Sequence, residues 1–385
     1  MSKVNDDKQK FCQLGDVATY VNGYAFKPAD WGSEGLPIIR IQDLTGNSYQ
    51  ANYFSGEIDN RFRVYSGDIL ISWSASLGVF EWQGGDAVLN QHIFKVVFNK
   101  MDIDKKFFIH QLKMLLERFA SEAHGATMKH LTRPVFNALP FYAPSLSRQQ
   151  KIASVLERVS NLITLNQQQL SKFDQLAKSR FSEMFGRMPR NEKHWTVVTI
   201  RDVVTEVRYG SSRPAVENGQ YPYLRMNNIT YSGELDLSEI KRIDVPDNEL
   251  SKCTVRRGDV LFNRTNSKEL VGKTCVYNRD EMMVLAGFVI RVRLDHEKML
   301  PEFLSAFLNT DFSKQMLLNM CKTAIGQANI NAQELQNISV FLPPLQLQKD
   351  FVAIKQQLDK SKVTIRKSIE KLETTYRALL QEYFG

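Results

Sequence analysis

The chain has 385 residues, 43% of them hydrophobic and 24% charged, with a net charge of +8; a chain of that length divides into roughly two to three domains with real cores. No run approaches the roughly 20 apolar residues of a membrane span, and residues 1–8 lack the apolar core of a signal peptide, so the expectation is a soluble, cytoplasmic protein with no membrane partner. Cys12, Cys253, Cys275 and Cys321 are scattered and the six histidines form no His-x-x-x-His pair, a pattern that indicates neither a disulfide framework nor a metal site.

Cut at residue 190, the chain carries an excess of five positive charges before the cut and three after it. Both halves are basic and neither owes this to a tail, which favours two surfaces for a polyanion over one sticky terminus. Residues 1–10 are polar. A globular region starts at Leu14, and a counterpart starts at Ile200 beyond a linker at residues 188–191. Landmarks then recur in one order. A turn rich in Gly and aromatics at 22–28 matches 209–214; an apolar strand with a polar end at 37–43 matches 222–228; a turn and buried strand at 66–72 matches 257–263; a strand at 92–97 matches 288–292. Apolar spacing then predicts a helix in each half, marked by Phe107, Phe108, Leu112, Leu115, Leu116 and Phe119, and by Phe303, Leu304, Phe307, Leu308 and Leu317.

Each half closes on a 43-residue run, from Pro144 to Gly186 and from Pro343 to Gly385, superimposed by one offset of 199. Neither run holds a further Pro or Gly once past its opening prolines, and a closing glycine suits a helix C-terminus, so each is predicted to be one long helix. Ile152, Val155, Val159, Leu162, Leu170, Phe173 and Leu176 in the first run, and Phe351, Ile354, Leu358, Ile365, Ile369, Leu372, Tyr376 and Leu379 in the second, follow three-four spacing. So narrow a stripe is a coiled-coil seam, and the two helices are each other's natural partners. Asn166 and Arg180 stand where Ile365 and Leu379 stand in the second copy, polar seam positions suited to fixing register. The fold class is α+β: two globular domains of short strands with one or two helices, joined by two long helices in an internal repeat. The boundaries are 1–143 and 188–342 for the domains, 144–187 and 343–385 for the helices. The repeat offset drifts from 186 at Asp16/Asp202 to 191 at Gly67/Gly258, so insertions fall inside the domains, in loops of the kind that carry recognition.

Arg, Asn and Ser/Thr side chains reach base edges while Lys and Arg hold phosphates. In the second domain a polar, basic loop leaves a buried strand and supplies Arg264, Thr265, Asn266 and Lys268, with Ser212, Arg213, Arg225, Asn227 and Asn228 on neighbouring loops. The matching positions of the first domain are Lys27, Arg40, Gln42, Ser72, Trp73, Ser74 and Ser76, with Gln91 and His92. Lys129 and Gln327, in the segments that lead into the long helices, complete the set. No catalytic signature accompanies them: there is no Gly-rich dinucleotide or triphosphate loop and no Gly-x-Ser-x-Gly elbow. Asp236 with Glu239 and Lys241 is a nuclease-like string whose acids stand too close together, and it reads as a solvated face. Pro343-Pro344 lacks the preceding Asn or Asp of an amino-methyltransferase motif. The expectation is a protein that catalyses nothing itself and holds no metal or cofactor.

The stretch from Gly326 to Lys349 is similar to the lead-in to the long conserved helix in the specificity (S) subunits of type I restriction-modification enzymes, and the order domain, helix, domain, helix resembles that family over nearly the whole chain. The first copy, residues 125–151, departs from the pattern, with Ala143-Pro144 in place of two prolines. The resemblance implies an antiparallel helix pair and two target-recognition domains related by pseudo-two-fold symmetry. It implies that each domain reads one half of a bipartite, asymmetric site on double-stranded DNA while the helices fix the spacer. It also implies partners: two methyltransferase subunits that dock on this scaffold and flip the target adenine using S-adenosylmethionine they bind themselves, and restriction subunits that translocate and cleave. The rival readings are a DNA-free scaffold for protein partners and a standalone nuclease or methyltransferase.

Overall fold

Short β-branched and apolar runs bounded by turns become strands, and the structure, a computed structural model, describes residues 10–46, 51–74, 76–122, 131–267, 270–324 and 327–385. Two compact units result, one made of 1–166 with 368–385, the other of 167–367. In the first unit the strands are β1 (Phe11–Gln13), β2 (Thr19–Asn22), β3 (Leu36–Ile39), β4 (Tyr53–Phe54), β5 (Arg63–Val64), β6 (Ile69–Ser72), β7 (Gly78–Glu81), β8 (Ala87–Leu89), β9 (Ile93–Val97) and β10 (Pro140–Tyr142). They form sheets ordered β2-β9-β6-β7 and β4-β3-β8-β5, with β3 and β8 parallel, and a β1-β10 pair. The predicted helix is α1 (Lys105–Glu122). Its Phe107, Phe108 and Leu112 are buried against Ile69, Ile71 and Phe94 of the first sheet.

The second unit repeats this plan. Its strands are β11 (Thr196–Thr199), β12 (Val204–Tyr209), β13 (Tyr221–Leu224), β14 (Lys241–Ile243), β15 (Val260–Asn263), β16 (Thr265–Asn266), β17 (Thr274–Val276), β18 (Val284–Leu285), β19 (Val289–Leu294), β20 (Lys322–Ala324), β21 (Gln327–Asn329) and β22 (Ser339–Leu342). The sheets run β12-β19-β15-β17 and β14-β13-β18, with β13 and β18 parallel and β11 paired to β22; a small β16-β21-β20 sheet is added. Helices α2 (Leu146–Phe185), α3 (Pro301–Leu308), α4 (Asp311–Met320) and α5 (Leu345–Phe384) complete the elements used below.

Both long helices are unbroken, and each has 40 residues at the offset of 199. Gly186 ends α2 at φ +79°, its N–H donating to Ser182 O at 2.9 Å, a conformation available to glycine at little cost. Each helix start is pinned by a buried glutamine at equivalent positions. Gln149 accepts from the Asp104 N–H at 2.9 Å and donates to Pro144 O at 2.9 Å; Gln348 accepts from the Leu300 N–H at 2.9 Å and donates to Pro343 O at 2.9 Å. Within each unit the start of one long helix packs beside the end of the other, which makes the pair antiparallel there. Ile152 and Leu156 share a core with Leu380 and Phe384, and Phe351 with Phe181 and Phe185. Deleting a ring such as Phe351 is worth about 3–5 kcal/mol.

The seam differs in detail from the stripe predicted. Val155, Leu162, Leu176 and Ile354 are exposed, whereas Leu156, Ala177, Lys355 and Lys362 turn inward or are half-buried. Asn166 does sit at the seam, donating to Ser368 Oγ at 3.3 Å. Arg180 does not: it is exposed and pairs with Glu183 on its own helix at 2.7 Å, because burial of Phe181 and Phe185 turns it outward. Among the described residues no helix is long and apolar enough to cross a membrane.

Candidate nucleic-acid interface

One ladder of backbone hydrogen bonds gathers the ends of four segments in the second domain. The Ser211 N–H donates to Leu285 O at 2.7 Å, Ala286 N–H to Leu224 O at 2.8 Å, Gly287 N–H to Ser211 O at 2.7 Å and Arg264 N–H to Phe288 O at 3.0 Å. The first domain builds the same ladder: Tyr24 N–H donates to Leu89 O at 2.7 Å, Asn90 N–H to Ile39 O at 3.1 Å and Trp73 N–H to His92 O at 3.5 Å. Gly23 and Gly210 stand at its crossing. An added Cβ would lie 2.2 Å from Asn90 O in one domain and 2.3 Å from Leu285 O in the other, so only glycine lets these chains meet.

The ladder brings most of the predicted residues of the second domain together. The Arg264 guanidinium lies 4.8 Å over the Tyr209 ring, a cation–π contact, and its Nε is buried without a hydrogen-bond partner among the described residues. Tyr209 is held in turn by its hydroxyl, which accepts from the Ala332 N–H at 2.9 Å. Thr265 is buried, and Asn266 half-buried, on β16, which pairs with β21, the strand that carries Gln327. Beside them Tyr209, Ser212, Arg213, Arg208 and Lys252 line an open groove of about 650 Å³. Ser212 and Arg213 are exposed, the latter in a bidentate pair with Glu249 at 2.8 and 3.0 Å. The pair holds the Arg213 pKa above and the Glu249 pKa below their ordinary values, through that hydrogen bond first.

The turn after β13 separates two functions. Asn227 is exposed and Arg225 half-buried, its Nε without a partner among the described residues. Asn228 is 3% exposed and its amide is committed inside the turn, accepting from the Arg225 N–H at 2.9 Å and donating to Asp236 O at 2.8 Å. Asp43 does the same work in the first domain, accepting from the Arg40 N–H at 2.8 Å. Asn228 is therefore a cap, of the kind Asn and Asp make in turns.

In the first domain Trp73 stacks 5.8 Å from Phe94 and lies 5.7 Å from the His92 ring, and its Nε1 is buried without a partner among the described residues. His92 is exposed and its Nε2 lies 3.1 Å from the amide nitrogen of Gln91. Ser72 is fully buried and its hydroxyl donates to Ser76 O. Lys27 and Ser76 are exposed, and Arg40, Gln42 and Ser74 half-buried; the Arg40 guanidinium lies 3.5 Å from Asp43. Lys129 and Lys268 lie outside the described residues. Part of the positive charge is internal: Arg291 is 1% exposed, bonded to Thr254 O and to Glu206 at 2.7 Å, and Arg293 bridges Glu206 and Asp259 at 2.7 and 2.9 Å. Sequence reasoning passed over Tyr209 and Phe288; the latter is 53% exposed, and its one signal was alignment with His92 in the repeat.

Comparison with known proteins identifies the family. The chain is 24% identical over 378 residues to the EcoBI specificity subunit of Escherichia coli, a match covering 90% of this chain and 78% of that one. It is 24% identical over 376 residues to the MjaVIII specificity subunit of Methanocaldococcus jannaschii, covering 90% and 85%. The crystal structure of the type I restriction-modification S subunit from M. genitalium has the same fold, with a TM-score of 0.54 at 14% identity over 100% of this chain and 98% of that one. A family model described as the type I restriction modification DNA specificity domain matches twice, over residues 6–174 and 192–374. The chain belongs to that family, as a non-catalytic specificity subunit that recognises DNA sequence for a type I restriction-modification system.

Proposed function

We propose that each domain reads one half of a bipartite, asymmetric target on double-stranded DNA, and that the helix pair fixes the unread spacer and docks two methyltransferase subunits, with restriction subunits joining the full complex. One observation carries this reading: the same ladder occurs in both domains but displays Trp73 and His92 in one and Arg264 and Phe288 in the other, so one scaffold reads two different sequences. A 40-residue helix is about 60 Å long, against a DNA repeat of about 34 Å, which suits a ruler between two half-sites. Arg264 and Asn266 are the base readers of the second domain, and Arg213 and Lys252 meet phosphates.

Methylome sequencing of a host that expresses the chain with its methyltransferase subunit tests this. The expected pattern is a split, asymmetric motif; Arg264→Ala relaxes one half of it, at a cost of about 1–3 kcal/mol for a bidentate base contact. Identical methylation patterns from variant and parent would overturn the assignment of Arg264. Inserting one heptad within residues 152–180 is expected to change the spacer recognised; unchanged spacing would remove the ruler. DNA affinity falls steeply with salt, which a DNA-free scaffold would not show.

A further inference from the structure

We propose that Phe288 reads a thymine through its C5-methyl group in the half-site of the second domain, a contact that its equivalent in the first domain, His92, does not offer. The inference rests on the reading that each domain recognises one half-site. Phe288 is 53% exposed although its neighbours Val289 and Ile290 are fully buried, and Tyr209 beside Arg264 is 42% exposed. An exposed ring forgoes most of the stabilisation that burial would give it, and Phe288 and Tyr209 both stand out on the loop cluster that carries Arg264. Its position is fixed rather than incidental. The Phe288 carbonyl accepts from the Arg264 N–H at 3.0 Å, and the flanking Gly287 and Val289 N–H groups donate to Ser211 O at 2.7 Å and Ala286 O at 2.9 Å. Phe288 is therefore paired through the backbone with Arg264, whose guanidinium lies over the Tyr209 ring and whose Nε has no partner among the described residues.

That juxtaposition selects the ligand group. In the major groove the base edges present hydrogen-bonding atoms and one apolar group, the thymine methyl. An arginine and a phenylalanine held side by side on one backbone ladder match a guanine beside a thymine: the guanidinium for O6 and N7, the ring for the methyl. In the first domain the equivalent positions carry the chemistry in reverse. There the aromatic ring, Trp73, is half-buried at the strand end and the residue equivalent to Phe288 is the exposed His92, with Gln91 beside it, a position suited to polar contacts.

The test uses the complex of the chain with its methyltransferase subunit and its methylome-defined target. Each thymine of both half-sites is replaced in turn by deoxyuridine, which keeps base pairing and lacks only the methyl, and binding is measured for the parent, Phe288→Ala and Phe288→Leu. The expected result is one thymine at which the parent weakens about three- to tenfold, the worth of burying one methyl-sized group. Phe288→Ala is expected to bind the normal target correspondingly less well and to be indifferent to deoxyuridine there, while Phe288→Leu keeps part of the sensitivity. Substitutions in the other half-site are expected to affect parent and variants alike. Full deoxyuridine sensitivity in Phe288→Ala, or no sensitive thymine in the parent, overturns the proposal; so does a Phe288→Ala defect with no deoxyuridine effect, which is the signature of a ring wedged between base steps. The half-site reading fails separately, if scrambling either half of the target leaves parent binding unchanged.

Discussion

Lys362 is a buried, ion-paired side chain on the long C-terminal helix of the second unit. It lies on α5 with its side chain 6% exposed, 2.6 Å from Asp174 on α2 and paired with Glu234 in the loop after β13, with Asp359 at 3.8 Å; Arg366 pairs with the same Glu234. Burial lowers the Lys362 pKa and its bonds to Asp174 and Glu234 raise it by more, so the net shift is upward. Burial raises the Glu234 pKa and the bonds to Lys362 and Arg366 lower it by more, so the net shift is downward. Removing one partner of a buried ion pair is worth about 3–5 kcal/mol. Here Asp174 and Glu234 are 43% and 26% exposed and regain water, so Lys362→Met is expected to cost about 2–3 kcal/mol of the stability of the second unit, once screening is allowed for. That is a shift of about 4–12 °C in its melting, measured by calorimetry, with hydrogen exchange of α5 amides to assign the transition. Adding Asp174→Asn and Glu234→Gln to Lys362→Met is expected to recover most of the loss, since neutral partners leave no stranded carboxylate and Arg366, 44% exposed, is solvated without Glu234. The Glu234 contribution is present above its ordinary pKa of 4.5 and is lost as pH falls below it. An unchanged midpoint in Lys362→Met, or a triple variant no more stable than the single, would refute the clamp.

The remaining predictions concern residues whose roles the geometry separates. His110 is buried, accepts from the Tyr376 hydroxyl at 2.6 Å and donates to Glu157 at 3.1 Å; burial, with Lys113 and Lys106, pushes its pKa down to about 4 against the opposing pull of Glu157. The folded state thus refuses a proton that the unfolded chain takes up near pH 6.5. The contribution of neutral His110 to the first unit should be fully present above about pH 6.5 and be lost as pH falls toward 4, a slope that His110→Gln flattens; a pH-independent midpoint in the parent would contradict this. Asn228→Ala should cost about 1–2 kcal/mol by opening its turn and leave the methylated sequence unchanged, whereas a base reader would change it. Asn166→Ile, which deletes the contact to Ser368, should loosen the register of the helix pair and broaden the spacer accepted; methylome data with a single unchanged spacing would count against a register role.

The long helices were legible because their information is local. Prolines open them, glycines close them and nothing between breaks them, so length and ends follow from chain chemistry alone. Their seam was only half legible. Val155-Leu156, Leu162-Ile163 and Leu176-Ala177 are adjacent apolar pairs seven and fourteen residues apart, and spacing permits either member to face inward. The choice is made by tertiary contacts, with Gln149 anchoring the helix start and Phe181 and Phe185 fixing the other end. Lys362 interrupts an apolar stripe in sequence and joins the seam in space, because its carboxylate partners come from residues 128 and 188 positions away. In the interface, Asn228 and Ser72 look like readers because Asn and Ser serve caps and base edges equally; only burial separates the two uses.

The internal repeat makes that separation possible within one chain, since every equivalent pair is an experiment on the same scaffold. Where chemistry is shared, the role is structural. Asp16 and Asp202 accept from the Gln13 and Thr199 N–H groups, Asp68 and Asp259 from those of Tyr65 and Arg256, and Asp43 and Asn228 from those of Arg40 and Arg225, each the same cap built twice. The buried Gln149 and Gln348 and the crossing glycines Gly23 and Gly210 fall in this class. Where the fold is shared and the chemistry is not, scaffold demands no longer account for the residue: Trp73 against Arg264, His92 against Phe288, Ile163 against Lys362, Asn166 against Ile365. The first two pairs sit on the ladder of the candidate interface, and the last two sit on the long helices. An asymmetric target and a defined register are two properties that a perfectly repeated chain would lack, and the proposed reading assigns them to positions of this kind, where the chain departs from its own repeat.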